Sequence, residues 1–205
     1  METNLSPFAI KTTQTEDEVK QIFAFSISVL GDLEDTIHTL VYYLDHFHKT
    51  PGLLVYAENN GQVIGSTMGS IDGDHVHVGM VAVAPHARRL GIGLAMMERL
   101  EAEAKKLGQT TLILGARQEA EPFYLRCGYR PNLFIQIAGA GHLEELKRLN
   151  QQYPVIWEAD KAGWTRLMLV TPQIDRELQD KYHRQFPDCS TQYVFIKDLS
   201  PAPEG

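Results

Sequence analysis

Cysteine is nearly missing from this chain. There are only two, Cys127 and Cys189, without paired spacing, so no disulfide framework is expected and the usage points to a reducing cytoplasm. Long apolar runs are missing as well: nothing approaches 18 consecutive apolar residues and no secretory h-region opens the sequence, so neither a membrane span nor an export signal is expected. Basic charge is in deficit, with 19 Lys and Arg against 26 Asp and Glu for a net charge of −7. That balance argues against a nucleic-acid surface, which would show a basic stripe, and suits a neutral or basic small acceptor better. Repeats and low-complexity tracts are absent too, and the last residues, Pro201 to Gly205, read as a frayed end. What is present is 43% hydrophobic content over 205 residues, enough to bury the core of one domain, or of one domain with a small appendage.

The most informative stretch runs from Val81 to Leu107. Val81 and Val83 alternate as in a strand, while Met96, Met97, Leu100, Ala104 and Leu107 recur at helical spacing. Between strand and helix stand Gly91 and Gly93, which lack a Cβ and let a ligand approach the main chain. The backbone N–H groups of Arg88, Arg89, Leu90, Gly91, Ile92, Gly93 and Leu94 can therefore turn toward one point. Unpaired N–H groups at the helix start and the positive end of its dipole add to them. The combination is an anion site of phosphate size, with Arg88 and Arg89 supplying mobile charge.

Two nucleotide readings fail on the residues. A dinucleotide fingerprint needs a third glycine where Met96 stands, and a Walker loop needs Gly-Lys-Ser/Thr, which Gly91 to Leu94 does not offer. The run does resemble the acyl-CoA motif of the GNAT N-acetyltransferases, in which an apolar strand and a proline precede Arg/Gln-x-x-Gly-x-Gly/Ala opening a helix. Pro85 and Arg88-Arg-Leu-Gly91-Ile-Gly93 match its fixed positions. After a short apolar strand at Thr111 to Leu114, the segment Ala120-Glu-Pro-Phe-Tyr124-Leu-Arg-Cys-Gly128-Tyr resembles the same family's Ala-x-x-Phe-Tyr-x-x-x-Gly-Phe/Tyr signature. Locally that segment is a short helix, with Pro122 in its first turn and Gly128 stopping it.

The order of elements agrees with the resemblance. Val19, Ile22, Phe23, Ile27 and Leu30 share one helical face, and Ile37, Leu40, Val41, Leu44 and Phe47 another. Strands follow at Leu53 to Ala57, Gln62 to Ile71 and His75 to Val83, joined by Asn60-Gly61 and Asp72-Gly73-Asp74. Helix 92–107, strand 111–114, helix 120–127 and a strand at Asn132 to Ala138 complete an α/β fold, a mixed central sheet flanked by helices. The resemblance covers roughly residues 1–140 as an N-acetyltransferase domain. Beyond it, 141–205 forms a C-terminal α/β extension: helix Gly141 to Asn150, a hairpin at Val155 to Asp160 and Trp164 to Val170, a helix started by Thr171-Pro172, and a strand at Tyr193 to Lys197. With the strand at Asn132 this is βαββαβ, a ferredoxin-like order. Such a piece could extend the sheet, cover the acceptor cleft or make a homodimer contact.

The resemblance implies an acetyl-CoA-dependent transferase without metal. The pantetheine is expected along the main chain of Val81, Ala82 and Val83, one backbone N–H there serving as oxyanion donor. Tyr124 is expected to point at the sulfur and act as general acid, since a phenol stays protonated where a thiol of pKa ~8.5 begins to ionise. Arg117 stands on the same side of the cofactor, where the family often has asparagine. The base is open among His75, His77 and Glu119, and Tyr42, Tyr43 and Trp164 are possible walls of the acceptor side. His75-x-His77 beside Asp74 lacks a third ligand at fixed spacing and is not read as a metal site. An acyl-CoA-binding module without turnover is the alternative function, and a purely structural glycine turn the remaining one.

Overall fold

The computed structural model describes residues 8–31 and 39–200. Ile37 and the tail from Pro201 lie outside them. The chain divides into two compact units, 1–112 with 198–205, and 113–197. That division follows packing, whereas the 1–140 and 141–205 division follows the reach of the family motifs.

In the first unit, β1 (Ala9–Thr12), β2 (Leu54–Asn59), β3 (Gln62–Asp72) and β4 (His75–Val83) lie side by side in chain order, all antiparallel. Asn60 (φ 50°) and Gly61 (φ 77°) form the left-handed two-residue turn expected between β2 and β3. Helix α1 (Glu16–Leu30) begins with a capping box, in which Thr15 accepts from the Glu18 N–H and Glu18 accepts from the Thr15 N–H. The other carboxylate oxygen of Glu18 takes the Tyr56 hydroxyl at 2.6 Å, tying helix to sheet. Helix α2 (Leu40–Lys49) is capped by Thr39. Val19, Ile22, Tyr43, Leu54, Tyr56, Met68 and Met80 form the core between these helices and one sheet face.

Val41, expected on the packed face of α2, is 74% exposed, while Tyr43 is fully buried. Its hydroxyl bonds Met80 Sδ at 2.9 Å and its ring meets Phe23 edge-on. Tyr43 is therefore a core residue and not an acceptor wall. Leu40, Leu44 and Phe47 of the expected face do pack against the core, Val41 does not, and the polar tip of tyrosine hid the packing role of Tyr43.

Helix α3 (Ile92–Lys106) covers the other sheet face with Ile92, Met96, Met97, Leu100 and Ala104. It lies so close that a Cβ on Gly65 of β3 would stand 2.9 Å from Met96 and 3.1 Å from Ile92.

In the second unit, strands β5 (Thr111–Gly115), β6 (Arg130–Ala138), β7 (Val155–Lys161), β8 (Trp164–Val170) and β9 (Ser190–Asp198) follow the spatial order β5-β9-β6-β8-β7. Helices α4 (Glu121–Arg126), α5 (Leu143–Leu149) and α6 (Arg176–Gln185) connect them. From β6 onward the chain is βαββαβ with antiparallel order 4-1-3-2, the ferredoxin-like arrangement. The last strand, β9, lies between β5 and β6 and is part of the sheet interior. Leu146, Leu167, Leu169, Leu178 and Tyr182 are buried here, and the Tyr182 hydroxyl donates to the Leu146 carbonyl at 2.8 Å. The second helix starts later than Thr171-Pro172 suggests. Asp175 is its N-cap, accepting from the Leu178 N–H at 2.9 Å. Thr171 is buried instead, its hydroxyl donating to the Pro131 carbonyl at 3.2 Å.

Candidate active site

The candidate residues divide between the two units. In the first, β4 delivers the chain into the glycine turn. Its register against β3 skips Gly79, since Met68 faces Met80 and Gly69 faces Val78. This β-bulge bends the strand just before Val81, Ala82 and Val83, which face Thr67, Ser66 and Gly65. Beneath the bend, Thr67 donates from its hydroxyl to the Met80 carbonyl at 2.8 Å, and Ser26 and Ser66 share a buried hydrogen bond of 3.0 Å.

After β4, Pro85 to Ala87 makes a single 3-10 turn, and Arg88, Arg89, Leu90 and Gly91 follow with exposed side chains or open backbone. Arg89 has φ 65° and Gly91 φ 80°, so the loop twice adopts the left-handed conformation. For Arg89 that costs about 1 kcal/mol, a strain met where loops are shaped for a ligand. Gly91 is the N-cap of α3 and offers no side-chain cap. Its carbonyl accepts the first helical bond, from Ala95 at 3.0 Å. Among the described residues, the N–H groups of Arg89, Leu90, Gly91, Ile92, Gly93 and Leu94 have no acceptor in the protein. A Cβ on Gly91 would meet nothing within 4 Å, so the main chain there faces open space. Leu90 and Leu94 are exposed beside it at 39% and 41%.

Arg88 does more than carry charge. Its Nε donates to the Val83 carbonyl at 3.2 Å, closing the loop onto the end of β4.

The histidines lie at the other end of that strand. His75 pairs with Asp72 across the hairpin tip and stands 3.4 Å from Asp74. Val81 lies six positions further on, about 20 Å along a strand. His77 is nearer, on the exposed side of β4, and surrounding protein together with the neighbouring His75 lowers its pKa. Asp72, Asp74 and His75 do not form a ligand set, and among the described residues no group of three His, Cys, Asp or Glu could hold a metal ion.

In the second unit, Arg117 is exposed and its carbonyl accepts from the Ala120 N–H at 2.9 Å, starting the turn that leads into α4. Glu119 is exposed in that turn. Tyr124 is 7% exposed. Its ring packs edge-on against Phe123 at 5.0 Å and Tyr129 at 6.0 Å, and lies tilted 5.7 Å from Phe195. The hydroxyl has no protein partner, yet it is not among the sealed polar atoms. A phenol held by its ring, with an uncommitted hydroxyl, has one hydrogen bond left to donate. Burial, with Cys127 adding to it, pushes its pKa up to about 12, so it stays protonated at neutral pH.

One group was not legible in the sequence. Glu121, in the first turn of α4 beside Pro122, reads as an ordinary solvent-facing acid at a helix start. The structure buries it to 3% and pairs it with Arg176. The partner is 55 residues away, and no local pattern points to it. Trp164 is partly exposed on β8 with the Arg166 guanidinium 5.8 Å over its ring, and half-buried Tyr42 stacks on His46 at 4.1 Å.

Residues 18–129 match the sequence profile of the acetyltransferase (GNAT) family. N-alpha-acetyltransferase 20 of Dictyostelium discoideum is 36% identical over 91 residues, 42% of this chain and 52% of that protein. The chain spans about half the length of the curated relatives it matches. Among solved structures, the ribosomal-protein-S18-alanine N-acetyltransferase of Escherichia coli superposes with TM-score 0.56 over 97% of both chains at 14% identity. N-acetylglutamate synthase of Neisseria gonorrhoeae, solved with coenzyme A and N-acetyl-glutamate, does so with TM-score 0.54 at 15% identity, over 96% of this chain and 36% of that one.

Proposed function

The chain belongs to the acetyltransferase (GNAT) family and carries its fold, and from that premise we propose that it moves an acetyl group from acetyl-CoA directly to a primary amine in a ternary complex. The observation that carries this reading is the turn from Arg89 to Leu94, with its run of unpartnered main-chain N–H groups at the mouth of α3; the Arg88 N–H, expected among them, is taken instead by the Pro85 carbonyl at 3.5 Å. Those donors, the open space at Gly91 and the dipole of a 15-residue helix fit a pyrophosphate in size and sign. Arg88 and Arg89 add charge from the exposed side. Leu90, Ile92 and Gly93 take part through their main-chain N–H groups and not through their side chains.

Acetyl-CoA supplies the thioester; the chain's residues hold it and manage protons. Past the Gly79 bulge, main-chain groups of Val81, Ala82 and Val83 serve the pantetheine amides as an added strand would, although the Val83 carbonyl is partly engaged by Arg88. A main-chain N–H in this stretch supports the carbonyl oxygen as it gains charge. Arg117 is assigned to the cofactor on position alone. Tyr124 donates its phenolic proton, or a hydrogen bond, to the departing thiolate, and its uncommitted hydroxyl supports that role. For the base, His77 is favoured over His75: it is closer to Val81 along β4, and its lowered pKa keeps the imidazole neutral and able to accept a proton.

A small-molecule amine was the acceptor expected from charge. The name of the N-alpha-acetyltransferase relative supports a peptide α-amine instead, and we adopt that acceptor. Cys127 and Cys189, both buried reduced thiols, support work in a reducing compartment such as the cytoplasm. Among the described residues no helix is long and apolar enough to cross a membrane.

The test is thiol release from acetyl-CoA in the presence of unblocked peptides differing in their first residue, followed by the mass of the peptide. Amine-dependent release with one acetyl group on the α-nitrogen is expected. Tight acetyl-CoA binding without amine-dependent release would leave the non-catalytic binder standing and overturn transfer.

A further inference from the structure

Helix α4 spans six residues, too few to be stable by itself. Its orientation is therefore set by whatever it is fastened to. The buried stripe of this helix is Glu121, Tyr124 and Cys127, spaced three residues apart on one face. An apolar side chain at the first of those positions would serve burial better than a carboxylate does. The carboxylate is there, 3% exposed, with burial raising its pKa and Arg176 pulling it back down.

Arg176 is itself held on several sides. It is the first residue of α6, its Nη1 donates to Gln179 Oε1 at 2.6 Å, its Nη2 donates to Glu121, and its guanidinium lies 5.3 Å over the Tyr193 ring. Tyr193 is locked in turn, since its hydroxyl accepts from the Asp175 N–H at 2.6 Å and donates to the Asp175 carbonyl at 3.1 Å. Tyr193 and Phe195 stand two apart on β9 and point to the same face. The helix is thus fixed at two points above one strand: Tyr124 rests on Phe195, and Glu121 reaches Tyr193 through Arg176. Ring contacts tolerate sliding, whereas a charge-assisted hydrogen bond to a planar guanidinium does not. A buried ion pair adds little net stability over an apolar pair of equal volume. What it adds is direction.

We infer that Arg176 and Glu121 are a positioning pair for the transfer reaction, fixing the rotation of α4 and so the direction of the Tyr124 hydroxyl. The inference rests on the reading of Tyr124 as proton donor. It gives part of the C-terminal region, α6, a role in the chemistry without contact with any reactant.

The experiment is a double-mutant cycle on kcat, read as thiol release from acetyl-CoA with the unblocked peptides. Arg176→Met should lower kcat about tenfold, keep KM for acetyl-CoA within about twofold, and lower it no further when introduced into Tyr124→Phe. An arginine that only stabilises the fold would shift Tm and give equal kcat changes in both backgrounds, which overturns the proposal; so does wild-type kcat in Arg176→Met. Should that variant fail to fold, Arg176→Lys keeps the charge but not the planar fork, and the same cycle is expected with a loss of about threefold. A loss in Tyr124→Phe without one in Arg176→Met removes the pair and leaves Tyr124 in place. Wild-type kcat in Tyr124→Phe removes Tyr124 from the mechanism and the pair with it.

Discussion

Arg88 turns back on its own strand, its Nε donating to the Val83 carbonyl at 3.2 Å, so one side chain both closes the glycine turn and leaves the rest of its guanidinium facing solvent. The exposed part is open to screening by salt; the anchored part is not. Converting Arg88 and Arg89 together to Ala should therefore weaken acetyl-CoA binding more at low ionic strength than at high. Calorimetric titration at two salt concentrations checks this, and an equal loss at both would assign the arginines to loop structure alone.

Gly91 makes a sharper prediction because two of its properties separate. Space is not limiting, since a Cβ would touch nothing within 4 Å, but φ is 80°. Gly91→Val should cost about 1–2 kcal/mol of stability from the left-handed backbone, which the fold survives. The side chain would stand over the donors meant for the pyrophosphate, so affinity for acetyl-CoA should fall more than tenfold, about 1.4 kcal/mol. Unchanged affinity in a folded variant would remove this loop from the binding site.

The parts that were legible in the sequence are those whose physics is local. Alternation gave β4, helical spacing gave α3, and Asn60-Gly61 gave the hairpin, because each depends on residues within one or two turns of one another. The glycine turn was legible for the same reason: Gly91, Gly93 and the helix start are contiguous. What was hidden depends on partners far along the chain. Thr171 looked like a cap until the Pro131 carbonyl took its hydroxyl, and Glu121 looked solvated until Arg176 met it. The Gly79 bulge was hidden as well, since a bulge exists only relative to the strand opposite.

Alkaline stability tests the burial of the tyrosines. Burial raises the Tyr124 pKa to about 12, and it also raises those of Tyr56 and Tyr182. A folded pKa above the unfolded value near ~10 means that the stabilising contribution is complete below pH ~10 and is lost as pH rises toward 12. For Tyr124 the contribution amounts to roughly 3 kcal/mol at most. Urea midpoints should hold from pH 7 to 9 and fall beyond 10, and the fall should be smaller in Tyr124→Phe. A parallel fall in both proteins would mean that the phenol is solvated in the native state.

The last prediction separates a catalyst from a binder at Tyr124. Its ring is fixed by Phe123, Tyr129 and Phe195, and its hydroxyl meets no protein group. Tyr124→Phe keeps every ring contact and removes only the oxygen, so neither stability at neutral pH nor the acetyl-CoA dissociation constant should move much. If the proton or hydrogen bond is given only as negative charge builds on sulfur, the loss falls on the transition state. Turnover should then drop by roughly 10²-fold, the lower end for a positioned acid, with KM nearly constant. Raising the pH should not rescue the variant, because phenylalanine has no proton to give at any pH. A tyrosine that serves only the core predicts the reverse, a small change in Tm with normal turnover, and a Phe variant with wild-type kcat on a peptide that the enzyme acetylates would establish that role instead.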